Sequence, residues 1–313
     1  GVPGRQVHRQ GREREVSRTG SDARRMTPGQ KFREAVRRER PLQVAGVIHA
    51  LAAKLAEEAG FHALYVSGAG VANASFGKPD LGLTTLEQVA EEVSRISSAT
   101  DLPVLVDIDT GWGQNLFSGR TMKLLHKAGA AAVHLEDQVE QKRCGHRPGK
   151  RLVPVAEMVK RIRAAVKTRP SRDLVVMART DAAGVEGLDA AIHRAQHYVQ
   201  AGADMIFAEA LGSLPAYEKF CRAVQVPVLA NMTEFGKTPM FSAKQFRSAG
   251  VRLVLYPLSA FRAMMRARAC TKPSGAKAPR SPVEANADPE GIVPLLDYQK
   301  AERKMDRRLR SKR

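Results

Sequence analysis

Eight short apolar runs recur between residues 43 and 258, and helical patterns fill most of the gaps between them. The runs are Gln43–His49, Ala63–Ser67, Pro103–Asp109, Ala131–Asp137, Leu174–Asp181, Met205–Glu209, Pro227–Thr233 and Leu253–Leu258. Near-continuous apolar runs of this length read as strands buried on both faces, as in parallel sheets. The helical patterns include Leu51–Ala59, Leu86–Ser97, Thr121–Ala128, Val155–Lys167, Leu188–Ala201 and Ser242–Ala249. Four of them stop at Ala-Gly immediately before the next run, at Gly60, Gly129, Gly202 and Gly250. Glycine there supplies the left-handed residue that ends a helix. The repeat predicts an α/β chain closed into a (β/α)8 barrel of the TIM type. A doubly wound open sheet is the competing architecture, but no Gly-rich dinucleotide fingerprint accompanies it.

The barrel is expected over residues 28–268. Before it, residues 1–27 are Arg-rich with few large apolar side chains and read as a disordered basic extension. Glu13, Glu15 and Asp22 argue against a transit peptide, and Met26 reads as an alternative start. Thr27-Pro28 is a helix cap with proline in the first turn, opening an amphipathic helix over Gln30–Arg38. After the barrel, 269–294 has a linker-like composition, with five prolines between Thr271 and Pro294. A short basic helix is expected over 295–313.

The formal charge of +19 raises nucleic acid as a partner. Its distribution weakens that reading, because residues 1–40 and residues 263–313 each carry a net +7. Basic ends of this kind are usually solvated tails, and no recognition helix, zinc knuckle or aromatic–basic pattern joins them. A mildly basic middle suits a small polyanionic substrate. No apolar run approaches the roughly 18 residues that span a bilayer, so no membrane association is expected. The three cysteines, Cys144, Cys221 and Cys270, are far apart and odd in number, which predicts a reducing, cytoplasmic setting.

A barrel of this kind places its chemistry at the C-terminal ends of the strands. Polar residues gather there: His49, Tyr65 with Ser67-Gly68-Ala69-Gly70, Asp107 and Asp109, His134 with Glu136 and Asp137, Arg179 with Asp181, Glu209, Asn231 with Thr233, and Arg262. Asp107 and Asp109, two apart on one strand, are expected on one face. With Glu136 and Glu209 they form a hard oxygen cluster suited to Mg2+ or Mn2+. The competing reading is a set of ion pairs at the barrel mouth. Arg179 and Arg262 offer forked donors for carboxylates, and Ser67–Gly70 offers backbone amides to an anion. Asn231 and Thr233 share a face and could bind another carboxylate. His134 reads as a packed core histidine. The loop Lys142-Arg143-Cys144-Gly145-His146-Arg147-Pro148-Gly149-Lys150 sets one thiol among four cations and an imidazole, which favours thiolate and proton transfer. An incidental surface cysteine is the alternative. A metal, a polyanion and a proton-moving thiol suit carbon–carbon cleavage beside a 2-oxo acid.

Lys142-Arg143-Cys144-Gly145-His146 resembles the signature of the isocitrate lyase/phosphoenolpyruvate mutase superfamily. Its continuation Arg147-Pro148-Gly149-Lys150 resembles the 2-methylisocitrate lyase branch. So do Tyr65–Gly70, Met177–Asp181, Asn231–Gly236 and Leu255–Arg262, and the likeness runs from about residue 28 to 268. The resemblance implies cleavage of 2-methylisocitrate to pyruvate and succinate, the lyase step of the methylcitrate cycle of propionate catabolism. It implies Cys144 as the general acid and Tyr65 as acceptor of the hydroxyl proton. Mg2+ would be held by Asp107 and Asp109, mainly through water, with Glu136 nearby. Ser67, Gly68 and Ala69 would bind the pyruvate portion. Gly145, His146, Arg179, Glu209, Asn231, Thr233 and Arg262 would line the remaining tricarboxylate site, with Arg179 counted among the catalytic residues. It also implies a homotetramer exchanging C-terminal helices.

Two segments depart from that pattern. One is the basic extension. The other is the stretch after Arg268, where the resemblance implies continued helices and a further substrate arginine. Arg280 has no context that assigns it that role, and the likeness resumes at Leu295-Leu296-Asp297-Tyr298. The competing readings are a related lyase acting on isocitrate or another 2-hydroxy or 2-oxo acid, and an impaired barrel whose tails bind polyanions.

Overall fold

The computed structural model describes residue 1 and residues 26–145, 149–234 and 236–266. The extension, linker and C-terminal helix expected from sequence lie outside the described residues, apart from Gly1, Met26 and Thr27. Strands β1 (Leu42–Gly46), β2 (Leu64–Val66), β3 (Val104–Asp107), β4 (Ala130–Glu136), β5 (Val175–Thr180), β6 (Met205–Ala208), β7 (Val228–Asn231) and β8 (Leu253–Tyr256) form a closed parallel barrel in sequence order. β1 pairs with β8 from Leu42↔Leu253 to Ala45↔Tyr256 and closes it.

Helix α1 (Pro28–Arg38) precedes the barrel. One helix then follows each strand on the outside, with α2 (Ala50–Glu58) after β1, α3 (Leu86–Ser97) after β2, α4 (Arg120–Lys127) after β3 and α5 (Val155–Thr168) after β4. The set is completed by α6 (Leu188–Gln200), α7 (Leu214–Val224), α8 (Ala243–Ser248) and α9 (Ser259–Arg266). The four Ala-Gly stops adopt positive φ, from 85° at Gly250 to 105° at Gly202. Helix α7 has no such stop. It opens at a Ser213 cap with a proline in its first turn and ends on Gln225, itself left-handed at φ 56°. A glycine-based reading therefore passes over it.

Alternation along the strands separates two cores. Leu42, Val44, Leu105, Val175, Met177, Phe207 and Leu229 fill the barrel interior, while Val66, Val106, Val133, Val176, Ile206 and Val254 pack outward against the helices. α1 closes the N-terminal end. Thr27 caps it with a capping box to Gln30, its hydroxyl donates to Asp173 just before β5 at 3.1 Å, and Phe32 is buried among the interior side chains. Arg252, just before β8, donates to the Val36 carbonyl at 3.0 Å. With this end sealed, the C-terminal end is the open one. No helix among the described residues is long and apolar enough to cross a membrane.

Candidate active site

The C-terminal mouth gathers the predicted residues around two carboxylates. Asp107, the last residue of β3, accepts from the Tyr65 hydroxyl at 3.2 Å, the Gly68 amide at 3.1 Å and the Asp109 amide at 3.0 Å. Burial works against its charge, but His134, Lys142, Arg179 and the Asp109 amide outweigh burial and hold it at about 2. Asp109 does not share a strand face with Asp107 as the two-residue spacing predicts. β3 has ended, and Asp109 sits at φ 47° in a loop whose Gly111, Trp112 and Gly113 are also left-handed. That conformation costs a non-glycine residue on the order of 1 kcal/mol. The turn, not the pleat, brings the two carboxylates together. Gly68 fits between them because it lacks a side chain: a Cβ there would lie 3.1 Å from Asp109 Oδ1 and 3.2 Å from Asp107 Oδ2. Its amide is therefore committed to Asp107, not left bare for an anion. Ser67 is buried beside it, and Ala69 packs against Ile48, Leu258 and Phe261.

Tyr65 and His134 lie beneath. His134 is buried, as a core histidine should be, yet its Nε2 is 3.0 Å from the Tyr65 hydroxyl and 3.6 Å from Asp107 Oδ1. Burial lowers the imidazole to about 4, so it is uncharged at neutral pH. Burial, reinforced by Asp107, pushes the Tyr65 phenol well above its ordinary value.

Arg179, from β5, is the cationic hub. It meets Asp181 at 3.0 Å, Glu209 at 3.2 Å and Glu136 at 3.3 Å, with its guanidinium over the Phe207 ring. Burial disfavours its charge, but these three carboxylates hold it far above its ordinary range. Glu136 is buried, its Oε1 has no partner, and burial pushes its carboxyl well up. Glu209 also accepts from the Asn231 amide at 3.2 Å. Asn231 and Thr233 have separate partners, since Thr233 Oγ1 accepts from Arg262 at 2.7 Å and Arg262 also pairs with Glu234.

The cysteine loop leaves β4 and is pinned at its base by a Gln138↔Leu152 bridge and by Val139 N–H to the Arg151 carbonyl at 3.0 Å. Cys144 is half-buried and reduced. Gly145 is buried against the hub: a Cβ on it would lie 2.4 Å from an Arg179 nitrogen and 2.7 Å from Glu209 Oε2. His146 lies outside the described residues. The cations expected to bathe the thiol are partly committed elsewhere. Lys142 Nζ pairs with Asp80 and lies 2.8 Å from Asp109 Oδ1. Burial opposes that ammonium, but Asp109 and Asp80 hold it well above its ordinary range. The Asp109 carboxyl is in turn raised to about 6 by burial. Lys150 Nζ is buried, donating to Asp181 at 2.9 Å and to the Gly145 carbonyl at 2.6 Å.

Lys142, Asp80 and Lys150 thus join the site without having been assigned to it, and Asp181, expected there only as a polar strand end, proves to pair with Arg179 and Lys150. The two lysines were legible as charges on the cysteine loop, but not their targets. Asp80 lies well past β2 in sequence and carries no local signal. No three His, Cys, Asp or Glu side chains among the described residues converge to coordinate an ion directly. The hard oxygen donors, the unpartnered Glu136 oxygen and the cradle that Gly68 leaves open fit a divalent ion held largely through water.

Fold and mouth together define a class: a (β/α)8 barrel enzyme with a carboxylate-rich, arginine-centred site under a cysteine-bearing loop. Within it, the chain belongs to the phosphoenolpyruvate phosphomutase family, whose sequence model matches residues 32–272. It is 57% identical over 242 residues to a protein of Escherichia coli named 2-methylisocitrate lyase, covering 77% of this chain and 82% of that one. Proteins of the same name from Bacillus subtilis and Aeropyrum pernix are 47% and 49% identical, over 78% and 77% of this chain and 80% and 77% of theirs. Among solved structures, 2,3-dimethylmalate lyase, a PEP mutase/isocitrate lyase superfamily member, superposes with a TM-score of 0.72 at 34% identity, covering 88% of this chain and 94% of that one. Oxaloacetate acetylhydrolase with bound 3,3-difluorooxalacetate gives 0.74 at 29%, covering 88% and 96%.

Proposed function

We propose that the chain cleaves 2-methylisocitrate to pyruvate and succinate with Mg2+, or Mn2+ in its place, at Asp107 and Asp109. The observation that carries this reading is the seating of the Cys144-Gly145 loop directly on the Arg179–Glu209 pair, with Lys142 of the same loop 2.8 Å from Asp109 Oδ1. That brings a proton-donating thiol, a carboxylate-binding fork and a hard-cation site to one mouth. Relatives from three distant organisms carry the corresponding name. The pathway would be the methylcitrate cycle, and three cysteines, odd in number and far apart in sequence, fit a reducing, cytoplasmic setting.

The bond that breaks joins the carbinol carbon to its neighbour, and its electron pair stays on the succinate fragment. A divalent ion at Asp107 and Asp109 would supply Lewis-acid stabilisation for the hydroxyl oxygen as it loses its proton, before that charge passes to the succinate carbon. Cys144 gives its proton to the succinate carbon and is reloaded from solvent. Tyr65 receives the hydroxyl proton. Because its buried phenol is held protonated, it does so only while handing its own proton to the uncharged His134 Nε2, 3.0 Å away, with Asp107 remaining ionised. Arg179 and Arg262 hold substrate carboxylates, with Asn231, Thr233, Glu209 and Gly145 lining the rest. Ser67, Gly68 and Ala69 face the pyruvate portion, and His146 completes the substrate set.

A homotetramer is the proposed assembly. An apolar groove of about 560 Å3 between α2 and α9, lined by Ile48, Leu55, Phe61, Phe261 and Met264, supports it. Leu55 and Met264 are half exposed there, at 54% and 47%, and an exchanged helix would cover them.

The test is pyruvate release from 2-methylisocitrate with Mg2+, with and without EDTA, beside Cys144→Ser. Turnover that requires both metal and thiol supports the reading. Folded wild-type protein with no turnover, or a Cys144→Ser variant at full rate, overturns it.

A further inference from the structure

We propose that the outer face of α6 carries a second metal site, for a divalent transition ion such as Zn2+, Ni2+ or Cu2+, with His193 and His197 as its protein ligands. The site is separate from the mouth and goes beyond the proposed lyase reaction.

The two histidines are four residues apart, so they are neighbours on one helix face. Their Nε2 atoms are 3.1 Å apart and their rings meet edge to face at 80°. One nitrogen must carry a proton for the other to accept it, and a cation can replace that proton. With metal–nitrogen bonds of about 2.05 Å, a 3.1 Å separation corresponds to a bite angle of about 98°. That lies between the roughly 90° of an octahedral and the 109° of a tetrahedral ion, so binding needs only small turns of exposed side chains.

The helix beneath is already fixed. Ala191, Ile192, Arg194, Ala195 and Tyr198 bury its inner face. Tyr198 donates to Asp137 at 2.8 Å, and Arg194 makes a forked pair with Glu186 at 2.7 Å. The chelate therefore forms on a preorganised turn and loses little backbone freedom. Among the described residues no third His, Cys, Asp or Glu joins the pair, so water completes the coordination. Imidazole selects borderline transition ions over Mg2+, and the two classes of ion do not compete for this face.

Equilibrium dialysis of the full chain against Ni2+ at pH 7.5, with Mg2+ in excess, tests the proposal on wild type, His193→Gln, His197→Gln and the double variant. Other histidines and thiols are common to all four proteins, so differences report on the pair alone. The expected result is one equivalent lost in the double variant and affinity weakened about tenfold or more in each single variant. Turnover in Mg2+ alone stays at the wild-type rate in all three variants. Equal binding by wild type and double variant overturns the proposal. So does dependence on one histidine only, which would make the ligand a lone imidazole.

Discussion

Gly145→Ala is the sharpest test of the seated cysteine loop. The backbone at Gly145 has no positive φ, so alanine brings no conformational strain and the effect is steric alone. The new methyl would sit 2.4 Å from an Arg179 nitrogen and 2.7 Å from Glu209 Oε2, where ordinary contact begins at 3.4 Å. Something must therefore shift by about 1 Å. A misplacement of that size costs on the order of 100-fold in rate, about 2.7 kcal/mol of transition-state stabilisation. Arg179 resists moving because three carboxylates hold it, so the loop carrying Cys144 yields first. In a coupled assay for pyruvate the loss should fall on kcat, with KM nearly unchanged and the melting temperature close to wild type. A rise in KM at constant kcat would mean that Arg179 moves instead. Activity within twofold of wild type would refute the seating of the loop.

Gly68→Ala crowds the carboxylates of Asp107 and Asp109 and should raise the Mg2+ concentration for half-maximal turnover about tenfold; an unchanged Mg2+ titration would remove Gly68 from the cation site. Asp181→Asn leaves Arg179 and Lys150 undercompensated in a buried setting and should cost about 3 kcal/mol at pH 7 in urea unfolding. Against the cost of burial, Arg179 and Lys150 hold Asp181 at about 2 when folded, below its unfolded value of about 3.9. Its contribution is therefore complete above about pH 4 and fades as pH falls toward 2, so the gap between wild type and variant should narrow over that window. Gly29→Ala would set a Cβ 2.1 Å from the Asp173 carbonyl oxygen and lift α1 from the closed end of the barrel. About 1–3 kcal/mol of stability should be lost, read as a lower melting temperature with turnover per folded molecule unchanged.

The barrel was legible because each unit repeats the same local physics. A strand buried on both faces is a continuous apolar run, and a helix stop needs a left-handed residue that glycine supplies. Gln225 shows the limit, since a side chain that tolerates the left-handed region erases the signal without changing the fold. Site residues at strand ends were legible for the same reason: the architecture fixes where a strand's last residue points. Asp109 lies beside Asp107 for a reason the spacing does not carry, because a turn of positive φ does what strand alternation is expected to do. Lys142 and Lys150 were visible only as charge. Which carboxylate each reaches depends on a loop folding back over the mouth, and no local pattern encodes that contact. Asp80 depended on the same contact from the other side.

That contact also bears on why the site should need a cation. With Arg262 set against Glu234, the buried mouth places six carboxylates, Asp80, Asp107, Asp109, Glu136, Asp181 and Glu209, around three cations, Lys142, Lys150 and Arg179. Buried charge of one sign is not tolerated without compensation. The protein answers by pushing Glu136 well up and Asp109 to about 6, so that protons can supply part of the balance. The proposed tricarboxylate would bring three more negative charges to the same place and find each cation already paired. It can enter only if positive charge enters with it or if internal pairs open. The divalent ion proposed at Asp107 and Asp109 would supply two such charges at the point where carboxylates outnumber cations. On that proposal the pairing of Lys142 with Asp109 and the raised carboxyls of Glu136 and Asp109 are parts of one charge balance that the ion would complete.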